Sequence, residues 1–323
     1  GEWLHRDESL VVEFDPDVRP QGSFRYGTVI RPLKAEDEYD LDNVCLLRKL
    51  SKSALTQAEL KRLYGEEIKA YARAHSMLAP ASEHHRCWRL HYADEINFHL
   101  DTLPCVPEDP EVIRRLQQAT VAPELATRAV AITDRRHPQY EQRATNWLSS
   151  NPRGFARWFE QRAALGRSVG LIENRAKAAI EDVPAYEWKT TLQRSIQILK
   201  RHRDVMFRKT PDVAPISMII TNLAARAYQG EPDLASALTN IIEAMPSHVR
   251  SVYPRVPNPA DPAEDYADKW ARDARLEKAF WQWHPQVKRD VADLSRLLGG
   301  DRLGPEVREK FVIELTEAEL RQL

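Results

Sequence analysis

Cysteine, glycine and long apolar runs are scarce in this chain, and neither sign of charge dominates. Three cysteines, Cys45, Cys87 and Cys105, stand among 323 residues. Their odd number and lack of C-x-x-C spacing exclude a disulfide framework and a zinc-finger site. Reduced, buried thiols of a cytosolic protein are the expectation. With 11 glycines there is no room for a glycine-rich fibrous repeat, and no internal repeat or low-complexity tract is visible. No apolar run approaches the ~18 residues of a membrane-spanning helix, and the mean hydropathy is -0.56. Lys plus Arg number 47 and Asp plus Glu 48, a net charge of -1. That balance argues against a nucleic-acid coat and a polybasic membrane binder. Gly1 to His5 carry no basic region followed by an apolar one, so no secretory signal is read there.

What is present is mostly helical pattern. Thr56 to Glu59 form a capping box, after which Leu60, Leu63, Tyr64, Ile68 and Tyr71 recur at helical spacing. Leu192, Ile196, Leu199 and Met206 predict a helix over about 190–207. Ser217–Tyr228 and Leu234–Met245 read as two more. A proline-rich connector, Pro254–Pro262, precedes a helical stretch around Asp265–Trp283. Strands cluster early: Tyr39–Leu47, Cys87–Tyr92 and Ile96–Val106, with Pro104 and Pro107 marking the end of the last. The pattern predicts an α+β protein, with a small sheet in roughly the first 110 residues and a helical lobe after it, packed as one unit around a cleft.

Two short motifs carry chemistry. Gly22 permits a tight turn, Ser23 adds a hydroxyl, and free N–H groups at a following helix start would cradle phosphate. Gly22 and Gly27 have the glycine spacing of a P-loop, but Thr28 stands where its lysine belongs, which excludes that motif. Beyond it, Asp40 and Asp42 open a strand at i and i+2 and so share a face. Two adjacent carboxylates repel unless a cation neutralises them, and magnesium suits oxygen ligands that also meet phosphates. Asp101 lies in a second apolar strand. If the two strands are neighbours, three carboxylates converge, enough to hold two metal ions roughly 3.5–4 Å apart for in-line phosphoryl transfer. Asp15-Pro16-Asp17 has the same spacing as Asp40 and Asp42 but straddles a proline and reads as a turn. His84-His85 reads as a loop; His99 shares the face of Asp101, which leaves a supporting role behind the acids open, but a satisfied core histidine is the first reading. Trp270, Phe280, Trp281 and Trp283 read as packing. Arg194, Lys200, Arg201 and Arg203 read equally well as the solvated face of an amphipathic helix, with the Lys200 stem covering the core as the alternative for that residue.

The order Gly-Ser, Asp-x-Asp and a later lone Asp resembles the polymerase-β-like nucleotidyltransferases. More narrowly, QGSFRYGTVIRP, YDLDNVCLL, RCWRLHYAD and FHLDTLPCVP are similar to the bacterial cGAS-like nucleotidyltransferases (CD-NTases) of CBASS anti-phage defence. The likeness continues through LQRSIQILKRHRDVMF and PISMIITNLAARAYQGE to VPNPADPAEDYADKW, from about residue 15 to 285. It implies a polymerase-β-like catalytic lobe over 1–130 and a helical nucleotide-binding lobe over 131–323. Family members usually begin with a long helix that braces both lobes. Little of it is present here, and a trimmed chain is expected.

By resemblance, Asp40, Asp42 and Asp101 match the metal-binding triad. Asp101 also helps deprotonate the attacking hydroxyl, and Gly22 and Ser23 hold the donor's β- and γ-phosphates. Lys200 and Ser217 look like the residues that contact the triphosphate from the second lobe. The activity implied is synthesis of a cyclic di- or oligonucleotide messenger from ATP and GTP, such as a cGAMP isomer. It would use two Mg2+ ions or Mn2+ in the cytoplasm, with a separate effector protein sensing the product. No stable nucleic-acid partner and no membrane are expected. The alternatives are nucleotide addition to an RNA end or a protein, against which the balanced charge counts, and a non-catalytic NTP-binding scaffold, against which the three intact acids count.

Overall fold

The computed structural model describes residues 1–34, 38–93, 97–166, 189–296 and 303–312. Among these a seven-stranded mixed sheet forms the first half of the chain. Strands β1 (Pro16–Gln21), β2 (Tyr39–Leu47), β3 (Ser82–Glu83), β4 (Trp88–Ala93) and β5 (Asn97–Pro107) run in the order β1-β2-β5-β4-β3. Strands β6 (Val130–Ile132) and β7 (Leu148–Ser150) extend the far end of β5. Only β2 and β5 pair in parallel; each other pair is antiparallel.

The sheet corrects several expectations. It reaches past residue 110, to Ser150. Asp15-Pro16-Asp17 is not simply a turn: Asp15 turns at φ 54°, but Pro16 opens β1 and Asp17 is buried in it between Arg19 and Arg153. β1 is an edge strand, where a missing N–H leaves no ladder bond unmade. Pro104 does not end β5. It falls where the strand changes antiparallel partner, from β4 (through Thr102) to β6 (from Cys105), so its lost donor costs nothing on that side. Ile96 lies outside the described residues.

One sheet face packs on α2 (Gln57–Ala74), whose Thr56–Glu59 capping box forms as patterned. Leu60, Tyr64 and Ile68 meet Cys45, Leu47, Trp88 and Leu90 in one core. Gly65 lets α2 approach the sheet: a Cβ there would fall 2.2 Å from the Trp88 ring. The other face carries the acids at one end and a small apolar cluster of Val44, Leu103, Cys105, Val130 and Ile132 at the other. The three thiols are free, Cys45 and Cys105 buried and Cys87 half-buried.

The largest core is helical. Beyond α3 (Pro110–Gln118) and α4 (Pro123–Ala126), it gathers α5 (Pro152–Ala163), α6 (Thr191–Met206), α7 (Ser217–Ala227), α8 (Leu234–Ala244) and α9 (Ala274–Arg296). α9 begins at Ala274 rather than near Asp265, because β8 (Pro257–Asn258) and β9 (Asp261–Asp265) form a hairpin first. Trp270, Phe280 and Trp283 are buried, whereas Trp281 is exposed. Tyr26 crosses from the sheet side into this helical core, with ring centroids 5.2 Å from Phe155 and 5.4 Å from Phe159. The short helix α1 (Gly22–Arg25) and the segment after it therefore join the two parts of the molecule.

Candidate active site

The parallel register of β2 and β5 sets Asp42 opposite Asp101 and Asp40 opposite His99. On the other side, β4 sets Arg89 opposite Asp101 and His91 opposite His99. Alternation then puts two acids, a third acid, an arginine and two histidines on one face. Oxygens of Asp40 and Asp101 and a nitrogen of His99 lie within 4.8 Å of one another, a donor set that fits a hard divalent ion.

The carboxylates differ sharply in environment. Asp42 is pushed up to about 7, first by burial and then by repulsion from Asp40 and Asp101; Arg89 and Lys200 oppose the rise. Burial also works to raise Asp101, but bonds from Arg89, its charge and a Cys87 thiol contact outweigh it and hold that carboxyl below its ordinary range. Arg89 grips Asp101 with both oxygens, Nε to Oδ1 at 2.6 Å and Nη2 to Oδ2 at 2.8 Å. Asp40 is more open, with Oδ1 2.9 Å from His99 Nε2. His99 Nδ1 meets Glu38 at 3.0 Å. His99 is thus no core histidine: it bridges two acids at the edge of the site.

Gly22 follows β1, whose last residue Gln21 pairs with Asp42. Its φ of +65° favours glycine, and a Cβ there would fall 2.3 Å from Asp42 Oδ2. The Gly-Ser turn therefore lies directly against the most perturbed carboxylate. The carbonyl of Ser23 accepts from Thr28 N at 2.9 Å.

Lys200 is buried on α6, not solvated, and donates to the Thr28 carbonyl at 3.1 Å and hydroxyl at 3.2 Å. Burial, then Arg203, presses its ammonium down to about 7, while Asp204 and Asp42 act in the opposite sense. It belongs to a series. Lys189 donates to Gly27 O, Gln193 to Tyr26 O, Gln197 to Val29 O and Arg201 to Arg31 O. Residues 26–31 thus lie along α6, whose side chains, with Lys189 just before it, bond the carbonyls of residues 26–29 and 31. Arg203 is also largely buried and donates to Pro215 O and Ser217 Oγ, whereas Arg194 is exposed as expected. Ser217 begins α7, and its described bond ties it to Arg203 rather than to the acids.

Arg89 and the two glutamines were not singled out by sequence. Alternation from Asp101 cannot name a residue on another strand without the register. An amide on a helix face carries no charge signal.

Residues 16–105 match the profile of the cyclic GMP-AMP synthase DncV-like nucleotidyltransferase domain, the span from β1 to β5. A c-di-GMP synthase of Roseivirga ehrenbergii is 28% identical over 304 residues, covering 93% of this chain and 73% of the relative. The cyclic dinucleotide synthase CdnG of Bradyrhizobium diazoefficiens is 24% identical over 289 residues, 82% of this chain and 62% of that one. Among solved structures, the same CdnG in complex with GTP superposes with a TM-score of 0.64 at 21% identity, covering 96% of this chain and 86% of that one. Vibrio cholerae DncV with a linear intermediate gives 0.59 at 17%, covering 94% and 70%. These superpositions establish a shared fold. No described helix is long and apolar enough to cross a membrane.

Proposed function

We propose that this DncV-like nucleotidyltransferase joins two purine nucleoside triphosphates into a cyclic dinucleotide, releasing pyrophosphate at each bond. The observation that carries the reading is the convergence of Asp40, Asp42 and Asp101 on one face, against the Gly22-Ser23 turn. It extends to a relative named c-di-GMP synthase that matches nearly the whole chain. That name, and the GTP in the CdnG complex, favour guanosine in the product: cyclic di-GMP, with a cGAMP isomer as the mixed-base form.

In this reading the site residues divide the work. Asp40, Asp42 and Asp101 would hold two Mg2+ ions, which supply charge neutralisation at the triphosphate and an acidified ribose hydroxyl when bound. Gly22 and Ser23 hold the donor's β- and γ-phosphates. Asp101 stays ionised across the neutral range and is placed to take a proton from the attacking hydroxyl. Lys200 and Ser217 serve the triphosphate from the helical side. Lys200 acts by holding Thr28, which in turn bonds Ser23. The product would act in the cytoplasm through a separate effector protein in anti-phage defence.

Purified protein with Mg2+ and labelled nucleotides tests this. GTP alone is expected to give a phosphatase-resistant product with the mass of cyclic di-GMP. A product that needs both GTP and ATP identifies the mixed-base form. Products only with added RNA or protein would move the chain to macromolecular modification, and none under any condition to a scaffold. Asp40→Asn with Asp42→Asn is expected to lower turnover at least about a thousandfold, since single transition-state donors are typically worth 10²–10³.

A further inference from the structure

Both oxygens of Asp101 are bonded by Arg89. An ionised carboxylate offers about four lone-pair positions. Arg89 takes two through its fork. Asp40, the other open acid of the cluster, has one oxygen against His99. Arg89 projects from β4 directly across from Asp101, and its side chain is only 25% exposed. Its positive charge also acts on Asp42 and is itself influenced by Asp40. One guanidinium therefore already supplies part of the neutralisation that three carboxylates require.

We propose that Arg89 is the residue that sets when the acid cluster accepts a divalent cation: it occupies Asp101 until an anionic nucleotide phosphate offers its guanidinium another partner. This rests on the acid cluster being the metal site of the synthase. The physical argument is competition. Freeing Asp101 breaks two charge-assisted hydrogen bonds, and a divalent ion placed beside an undisplaced guanidinium is repelled by it. A triphosphate reverses both penalties, because guanidinium pairs with phosphate as readily as with carboxylate. Free metal then binds weakly and metal with nucleotide binds well. By linkage, the metal strengthens nucleotide binding by the same factor. An arginine–aspartate pair across two strands also stabilises a sheet in its own right. A purely structural pair, however, predicts no link between metal and nucleotide.

The test is Mn2+ binding followed by electron paramagnetic resonance at pH 8, without turnover, in the full chain and in Arg89→Met. It is run with Mn2+ alone and with Mn2+ plus GTP carrying an α,β-methylene bridge. Arg89→Met is expected to bind Mn2+ alone at least tenfold more tightly than the parent. The extra affinity that the GTP analogue confers is expected to shrink by a similar factor. Unchanged or weaker Mn2+ binding in Arg89→Met would overturn the proposal and make Arg89 a support for Asp101. Arg89→Lys keeps the charge but loses the fork, and is expected to bind Mn2+ alone a few times more tightly than the parent. If Arg89→Met does not fold, that variant decides, and parent-like or weaker binding in it overturns the proposal. Because the readout is metal occupancy, a different reaction product leaves the result intact, whereas no Mn2+ binding by parent or variants defeats the metal-site reading itself.

Discussion

The acid face of the sheet and the face of α6 that meets residues 26–31 are satisfied to opposite degrees. On the sheet, Asp40, Asp42 and Asp101 crowd together, and burial with their mutual repulsion raises Asp42 to about 7. On α6 and just before it, Lys189, Gln193, Gln197, Lys200 and Arg201 all spend their donors on backbone carbonyls. One surface holds unresolved charge and the other holds a loop. For the proposed synthase, the difference would separate two tasks. In the proposed reaction, cation and phosphate would relieve the charge that Arg89 leaves unneutralised. The loop after the Gly22-Ser23 turn, which the proposal places at the donor phosphates, is held in advance by these bonds. Substitutions on the first surface should change chemistry and pH dependence. Those on the second should change how well the donor is positioned.

Gly22 stands where the two surfaces meet, and Gly22→Ala should break the contrast most strongly. The new Cβ would occupy the place of Asp42 Oδ2 at a backbone angle that L-residues avoid. Holding alanine there costs about 1–3 kcal/mol, and displacing Asp42 by about 1 Å costs roughly 10²-fold in rate. The expected result is a fall in kcat of about two orders of magnitude, with thermal stability lowered to match. A variant with normal kcat would show that the turn and the carboxylate move independently.

The pH dependence of stability sharpens the same contrast. The Asp42 carboxyl titrates near 7 in the native protein, above its ordinary value of 3.8. Between those pH values the native state holds a proton that the unfolded chain has released. Stability from this group is therefore present at low pH and is lost as pH rises toward 7. For an isolated carboxyl a rise of that size would correspond to ~4 kcal/mol. Sharing among three carboxylates and a partly wet site reduce this to about 1–2 kcal/mol. Asp42→Asn should therefore be more stable than the parent by about that amount at pH 8 in EDTA, and nearly equal to it at pH 4. Thermal melts across that range check this, and a variant less stable at pH 8 would mean that Asp42 is already neutralised.

How much of this was legible depended on whether one strand or two had to be known. Tyr39–Leu47 is visible as an apolar run with acids at its start, and the strand has those bounds. The helix expected over 190–207 runs from Thr191 to Met206, because a capping box and an apolar stripe agree. β1 was hidden by Pro16 and Pro20, which an edge strand tolerates, and β6 and β7 have three residues each, too few to show a period. The convergence of three acids could be written only as a condition on strand neighbours, and the register of β2 with β5 meets it. Arg89 stayed out of view because its role comes from β4 lying on the other side of β5. For His99 the sequence leaves a core place and a supporting role beside Asp101 open, and the structure favours the second: it sits at the rim, where Glu38 and Asp40 reach it.

The smallest expected effect lies on the helix side. Gln197 Nε2 donates to Val29 O at 2.6 Å, one bond in the series that holds residues 26–31. Losing it in Gln197→Ala costs about 1 kcal/mol, because Lys200 and Gln193 still hold Thr28 and Tyr26. The Val29 carbonyl lies well beyond Ser23 along the chain, and the described bond of Gln197 goes to it rather than to any of the acids, so the barrier after binding should be untouched. A small loosening of the loop should appear as a few-fold rise in KM for the donor nucleotide with kcat kept. Gln197→Lys restores a donor of similar reach and should recover most of that loss. A loss confined to kcat would instead mean that α6 acts on the reacting groups, and the division between a chemical surface and a holding surface would fail.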